Sequence, residues 1–155
     1  MALPKLAAPR FALEIPSTGK RISFRPFLVK EEKALLMAAQ SEDTIDMIDA
    51  VKDVISACVQ DDSFDVEKIP YFDMEYIFLN IRAKSISEVV KLEYRHTGGV
   101  NYQGIACDAV TPVEINLENV KVQTSPEHNN KIQLDDKLGL ELRYPTINDV
   151  RMVSD

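Results

Sequence analysis

Side chains that could bind a metal ion or act in catalysis are few in this sequence. The chain contains two histidines and two cysteines, and the most suitable group of metal ligands is His96, Cys107, Asp108 and His128. A structural zinc site needs closely spaced Cys and His pairs such as C-x-x-C, and the sequence has none. Cys58 belongs to an apolar helical pattern, which is typical of a packed thiol. The sequence therefore predicts no metal and no cofactor, with a small metalloprotein or hydrolase centred on His96, Cys107 and His128 as the alternative.

The other patterns that could do chemistry are incomplete. Thr97-Gly98-Gly99 is not followed by the Gly-Lys-Ser/Thr of a phosphate-binding loop. The acidic run at 61–65 lacks the glycine and the terminal glutamate of a calcium-binding loop. There is also no G-x-S-x-G motif for a nucleophilic serine. We therefore expect a protein that is not an enzyme and has no catalytic residues.

Composition and charge narrow the classes of partner. The chain has 155 residues, of which 45% are hydrophobic and 28% charged, as in ordinary globular proteins. A formal net charge of -7 gives no broad positive field, so we expect neither nucleic acid nor a membrane as a partner. Lys20, Arg21 and Arg25 leave nucleic-acid binding as the weaker alternative. The two distant cysteines and the lack of a secretory signal favour a cytoplasmic setting.

Apolar periodicity divides the chain into a hairpin, helices and strands. Alternation at 11–15 and 21–25, joined by a turn with Gly19, predicts a β-hairpin. A helix is predicted at 30–40, and a second begins after an N-cap at Ser41 or Asp43. The second helix carries an apolar stripe of Ile45, Ile48, Val51, Ile55 and Cys58/Val59.

A third helix follows Pro70 and is apolar around most of its circumference. From residue 88 the pattern predicts strands at 90–94 and 105–117, with Val120 and Val122 prolonging the second, and later strands at 132–134 and 138–144. A helix is predicted to open at Pro145. Because helices and strands are segregated along the chain, we predict an α+β fold. We expect an N-terminal extension at 1–10 and a single α+β domain at 11–155, with a helical part at about 30–84 and a β-rich part at about 88–144.

Several strings are more specific than this pattern. They are PSTGK at Pro16–Lys20, FRPFLVKEEK at Phe24–Lys33, IRAKSISE at Ile81–Glu88, VEINL at Val113–Leu117 and VKV at Val120–Val122. Together, over about residues 13–122, they resemble the baseplate hub subunit and hub-assembly proteins of T-even-type contractile-tailed bacteriophages. The resemblance implies a virion or tail-assembly protein, made in the bacterial cytoplasm, that helps to build the central baseplate hub. It implies no enzyme activity, and relatives that run longer at the C-terminus.

These observations together predict a protein that works by docking against other proteins. Its expected partners are other phage baseplate hub and tail proteins, and its oligomeric state is left open. Apolar and aromatic side chains outnumber reactive ones, and aromatic anchors carry a large share of binding energy. The predicted interface anchors are Phe27, Leu28, Tyr71 and Tyr76. The alternative within this class is an assembly chaperone that is absent from the mature virion.

Overall fold

The structure, a computed structural model, describes residues 9–41, 43–96, 99, 103–104, 109–123, 125 and 127–154. In chain order its elements are β1 Phe11–Glu14, β2 Arg21–Phe24, α1 Val29–Ser41, α2 Thr44–Cys58, α3 Tyr71–Ser85, β3 Val89–Arg95, β4 Val110–Asn116, β5 Lys131–Gln133, β6 Gly139–Glu141 and α4 Ile147–Ser154. The predicted α+β fold class is confirmed, with an N-terminal hairpin, helices in the middle and antiparallel strands after them.

The first hairpin forms where the apolar alternation predicted it. β1 and β2 pair antiparallel, with Phe11 opposite Phe24. The amide of Gly19 closes the turn by donating to the carbonyl of Ile15 at 2.8 Å. Gly19 has a φ of 66°, which a residue with a Cβ adopts only with strain. The hairpin directs Ile15, Ile22 and Phe24 into the protein, where all three are buried.

The connection between α1 and α2 resolves the choice between the two predicted caps. Ser41 is the last residue of α1. Asp43 caps α2, because its carboxylate accepts the amide N–H of Ile45 at 2.7 Å. The predicted apolar stripe of α2 faces inward, with Ile48, Ile55 and Cys58 buried, and Val54, which the stripe did not include, is buried as well.

α3 is the central helix of the structure. Its first residue follows Pro70, whose fixed φ suits a helix start. Met74, Ile77 and Ile81 are buried, and Phe78 packs against the core from the side. Within the described parts of the chain, no helix is both long and apolar enough to span a membrane.

The hydrophobic core lies between the first hairpin, α2, α3 and the start of α4. The last contributor, Ile147, is only 1% exposed. It is held there because the amide of Tyr71 donates to the carbonyl of Pro145 at 2.9 Å, while Pro70 and Thr146 form a β-bridge. The predicted helix after Pro145 is therefore confirmed as α4, and its first turn closes the core.

The later strands form separate two-stranded sheets. β3 pairs antiparallel with β4, and β5 pairs antiparallel with β6. The predicted extension of the second strand through Val120 and Val122 is wrong. β4 ends at Asn116, whose side-chain oxygen accepts the amide of Glu118 at 2.9 Å and starts a 3-10 turn at Leu117–Asn119. The predicted strand residues 105–108 lie outside the described residues.

Candidate protein interface

The string at 24–33 forms the junction between the first hairpin and α1. The amide of Phe27 donates to Ser85 Oγ at 3.0 Å, which ties the junction to the end of α3. The amide of Leu28 donates to Glu31 Oε2 at 2.7 Å and so satisfies a free N–H at the start of α1. The most distinctive string of the sequence therefore fixes the hairpin to the helices.

Glu31 is a buried charge at the centre of this junction. Arg25 Nη2 donates to Glu31 Oε1 at 3.0 Å, and Lys30 Nζ lies 3.3 Å from the same oxygen. Burial acts to raise the pKa of Glu31, but the hydrogen bonds from the Leu28 amide, Arg25 and Lys30 outweigh it and hold the pKa below its ordinary value. The carboxylate is therefore ionised at neutral pH, and it positions the Arg25 guanidinium.

The structure separates the first two predicted anchors from each other. Phe27 is part of the hydrophobic core, whereas Leu28, the next residue, is 51% exposed. The amide of Phe27 is bound to Ser85, and its side chain is turned inward. The ring of Phe27 packs within this chain, and its role as an interface anchor stays a prediction. Leu28 remains a predicted anchor and continues, with Val29, the exposed apolar surface at the start of α1.

The other two predicted anchors lie on α3. Tyr71 is half-buried and packs against the core. Burial raises the pKa of its hydroxyl, and the neighbouring carboxylate of Glu75 adds to the effect. Tyr76, also half-buried, is five residues further on and about 140° around the helix, so the two tyrosines do not share a face.

The four predicted anchors do not form one patch. Leu28 lies at the junction near Ser85, the last residue of α3, whereas Tyr71 is its first residue. The helix between these two positions is about 21 Å long. The interface role of this set stays a prediction.

A shallow groove runs between α2 and α3. It has a volume of about 230 Å³, and its walls are apolar apart from two polar residues at one side, Tyr71 and Glu75. The other lining residues are Met47, Ile48, Val51, Met74, Phe78 and Leu79. Tyr71, Met74, Glu75 and Phe78 follow the spacing of one helix face. Two methionines in such a groove suit an adaptable binding surface. Of the predicted anchors, this groove contains Tyr71.

The β5–β6 hairpin carries a second apolar surface. Ile132 is paired with Leu140, and the amide of Leu134 donates to the carbonyl of Leu138 at 2.9 Å. The amide of Leu142 donates to the carbonyl of Asn130 at 2.7 Å, which continues the same register. Because alternate residues of a strand share a face, one face carries Ile132, Leu134, Leu138, Leu140 and Leu142, with Asn130 at its end opposite Leu142. We call the five apolar residues the hairpin face, and each is between 44% and 55% exposed.

The apolar alternation at 132–144 predicted these strands but not the surface that they form together. The signal was present, because the apolar residues are spaced symmetrically about the turn at 135–137. The carboxylate of Asp135 accepts the amides of Lys137 at 2.7 Å and of Leu138 at 2.8 Å, which fixes the turn. An Asx turn between two alternating runs predicts a hairpin, and the hairpin places both runs on one face.

The sequence model of the family described as T4 bacteriophage base plate protein matches residues 8–155. The chain belongs to this family. No curated protein and no solved structure matches it. As a member of the T4 base plate family, the protein has a structural or assembly role in the phage tail baseplate, and it interacts with other phage tail proteins.

Of the four residues considered for a metal site, the structure describes His96 and His128. Cys107 and Asp108 lie outside the described residues. His128 is placed against Tyr144, with the hydroxyl oxygen 2.9 Å from Nε2 and the two rings stacked. Among the residues that are described, no three His, Cys, Asp or Glu side chains cluster as metal ligands. The expectation of no metal and no cofactor stays a prediction.

The basic group of the first hairpin is engaged with acidic residues. Lys20 forms an ion pair with Asp61 at 2.9 Å, and hydrogen bonds from Ser63 and Lys20 lower the pKa of Asp61 to about 2. Arg25 is bound to Glu31. Two of the three basic side chains are thus neutralised within the chain, which weakens the case for a nucleic-acid surface.

Proposed function

We propose that this baseplate protein is a non-enzymatic component of the central baseplate hub in a contractile-tailed phage, and that it acts through protein–protein interfaces. Its family membership supports the baseplate role. The strings at Pro16–Lys20 and Phe24–Lys33, which resemble hub proteins, support the hub in particular. The protein assembles in the host cytoplasm and then resides in the virion.

The observation that carries this function is the groove between α2 and α3. A partner helix with apolar side chains at every third or fourth position would fit such a groove. Glu75 is exposed at its rim, so a Lys or Arg on the partner would complement the charge. The expected occupant is an amphipathic helix of another hub or tail protein.

Substitution of Met47 tests the groove. Met47 lines the groove and does not belong to the hydrophobic core cluster, so Met47→Asp is expected to leave the monomer folded. Ser56→Asp is the matched control, because Ser56 is an exposed residue of the same helix and lies about 180° around it from Met47. Both variants are supplied to a phage that lacks the gene, and their amount in purified virions is measured by mass spectrometry against another baseplate protein.

We expect Met47→Asp to reduce the amount in virions at least about tenfold, since one buried charge costs several kcal/mol at an interface. Ser56→Asp should be incorporated normally. Normal incorporation of a folded Met47→Asp variant would show that the groove is not an assembly surface.

The wild-type measurement separates a permanent subunit from a chaperone. A hub subunit is present at an integral number of copies per virion, whereas an assembly chaperone is missing from virions and present only in assembly intermediates. Cross-linking mass spectrometry of the baseplate then locates the chain. Cross-links to proteins of the central hub support the proposal, and cross-links only to peripheral proteins contradict it.

We also propose that residues 11–155 form one domain, preceded by an extension at 1–10. Its support is the shared core, since Ile15 near the start and Ile147 near the end are buried in the same cluster. A single cooperative urea transition, seen equally by fluorescence and circular dichroism, is expected. Two separate transitions would contradict a single domain.

A further inference from the structure

The hairpin face is a surface with no charged side chain on it. Its five residues are all Leu or Ile, and the polar residues Lys131, Gln133 and Glu141 alternate with them on the other face. Exposure of 44% to 55% shows that the described part of the chain leaves each of the five side chains about half uncovered. A contiguous apolar surface of this kind on a soluble protein marks a site of interaction.

The hairpin is also a sheet of only two short strands among the described residues. β5 and β6 contain three residues each and pair only with one another among the described strands. A two-stranded hairpin is marginally stable in water unless another layer covers its apolar face. Binding that covers the hairpin face would therefore also stabilise the hairpin itself.

The net charge of the chain argues against a second copy as the covering layer. Two copies would bring together two chains of formal net charge -7, and their mutual repulsion opposes the contact. A lasting interface of any kind needs about 800 Å² from each partner, so a partner on the hairpin face must also contact the chain beside it.

We propose that the hairpin face is the docking site for a different baseplate protein, one with a net positive charge that covers the five residues with an apolar surface of its own. The opposite net charge steers the partner toward this acidic chain, and apolar contact on the hairpin face then holds it. This inference rests on the proposed function, because it takes the partner from the baseplate. The site differs from the α2–α3 groove, so the chain has two docking surfaces.

Two variants on one hairpin test the proposal. Leu140→Asp places a carboxylate in the middle of the hairpin face, and Gln133→Asp places the same group on the polar face of the same hairpin. Neither residue belongs to the hydrophobic core, and circular dichroism of each variant checks that the full chain stays folded. The probes are the purified baseplate proteins of the same phage, mixed with the chain one at a time, and binding is measured by calorimetry.

We expect one or more probes of net positive charge to bind the wild-type chain. Leu140→Asp should raise the dissociation constant at least about 100-fold and Gln133→Asp less than about 3-fold, and a rise in salt from 50 to 300 mM should weaken wild-type binding. If no probe loses affinity with Leu140→Asp, the proposal is wrong. It is also wrong if the only probes affected are acidic, or if sedimentation shows a wild-type dimer that Leu140→Asp dissociates.

The same variants distinguish this proposal from the hub assignment. If Leu140→Asp loses a basic partner while cross-linking places the chain outside the hub, only the hub assignment fails. If the chain is an integral hub subunit but Leu140→Asp binds every probe as the wild type does, only the docking site on the hairpin face fails.

Discussion

Replacement of Glu31 by Gln should destabilise the protein by about 2–3 kcal/mol at neutral pH. Loss of one partner from a buried ion pair costs about 3–5 kcal/mol, because the other charge is left uncompensated. Gln keeps an oxygen that can accept the Leu28 amide, and the Arg25 side chain is 14% exposed, so water recovers part of the loss. Against a total stability of about 5–15 kcal/mol, this is a large effect for a change of one atom.

Urea unfolding followed by far-ultraviolet circular dichroism measures this loss. With a slope of about 1.5–2 kcal/mol per molar urea, the unfolding midpoint should fall by about 1–2 M. Glu32→Gln is the matched control, since it removes a charge one position further along α1 for which no ion pair is seen in the described structure. Its effect should stay within about 0.5 kcal/mol.

The pH dependence of the stability difference between wild type and Glu31→Gln shows whether the charge of Glu31 causes it. The pKa of Glu31 is lowered in the folded protein, so the stabilisation from its charge is present above the ordinary glutamate pKa of about 4.3. It is lost as the pH falls through the lower pKa of the folded state. The gap between wild type and Glu31→Gln should therefore close in acid.

A double-mutant cycle with Arg25→Met completes the test. The coupling free energy between positions 25 and 31 should exceed about 1 kcal/mol, because each single change leaves the other group without its partner. A Glu31→Gln variant within about 0.5 kcal/mol of wild type, or a gap that persists at low pH, would refute an ion pair that holds the hairpin to α1.

Two further predictions follow from buried residues. Asp73 is fully buried and accepts the amide of Ser17 at 3.2 Å as well as the Ser17 hydroxyl, and burial raises its pKa. The contribution of Asp73 to stability should therefore fall as the pH rises from the ordinary aspartate value of about 3.9 through the raised value. Asp73→Asn should lose this slope in urea titrations, and an identical slope in both proteins would contradict the assignment. Phe27→Asp should abolish cooperative unfolding, since loss of a core phenylalanine costs about 3–5 kcal/mol before the buried charge is added. Leu28→Asp should change the unfolding free energy by less than about 1 kcal/mol, and equal effects at the two positions would show that Phe27 is not in the core.

Much of the secondary structure could be predicted because it depends on neighbours in the sequence. The hairpin around Gly19 follows from alternation and a residue that tolerates positive φ. The inward stripe of α2 follows from a period of 3.6 residues. Prediction failed at Val120 and Val122, where apolar alternation continues but the Asn116 side chain ends the strand. A side-chain hydrogen bond of this kind competes with strand pairing without changing the apolar period.

Whether the predicted anchors form an interface stays a prediction, because the sequence does not decide which apolar side chains this chain covers. Apolar residue type identifies the side chains that avoid water, but it does not say whether this chain or another protein covers them. Phe27 and Leu28 are adjacent and both apolar, yet one is in the core and the other is half exposed. Phe27 meets a segment far away in the sequence, since its amide contacts Ser85, 58 positions away.

Short stretches of sequence determine the order of strands and helices, the turn at Gly19 and the cap before α2. They also show that no catalytic motif is complete. The strands and helices can be predicted because backbone geometry repeats every two or 3.6 positions. Segments far apart in the chain determine three features: the burial of Ile147 and Ile15 in one core, the contact between Asp73 and Ser17, and the exposure of the hairpin face. These contacts form only when the whole chain closes around its core, because burial belongs to the packed arrangement and not to any single segment.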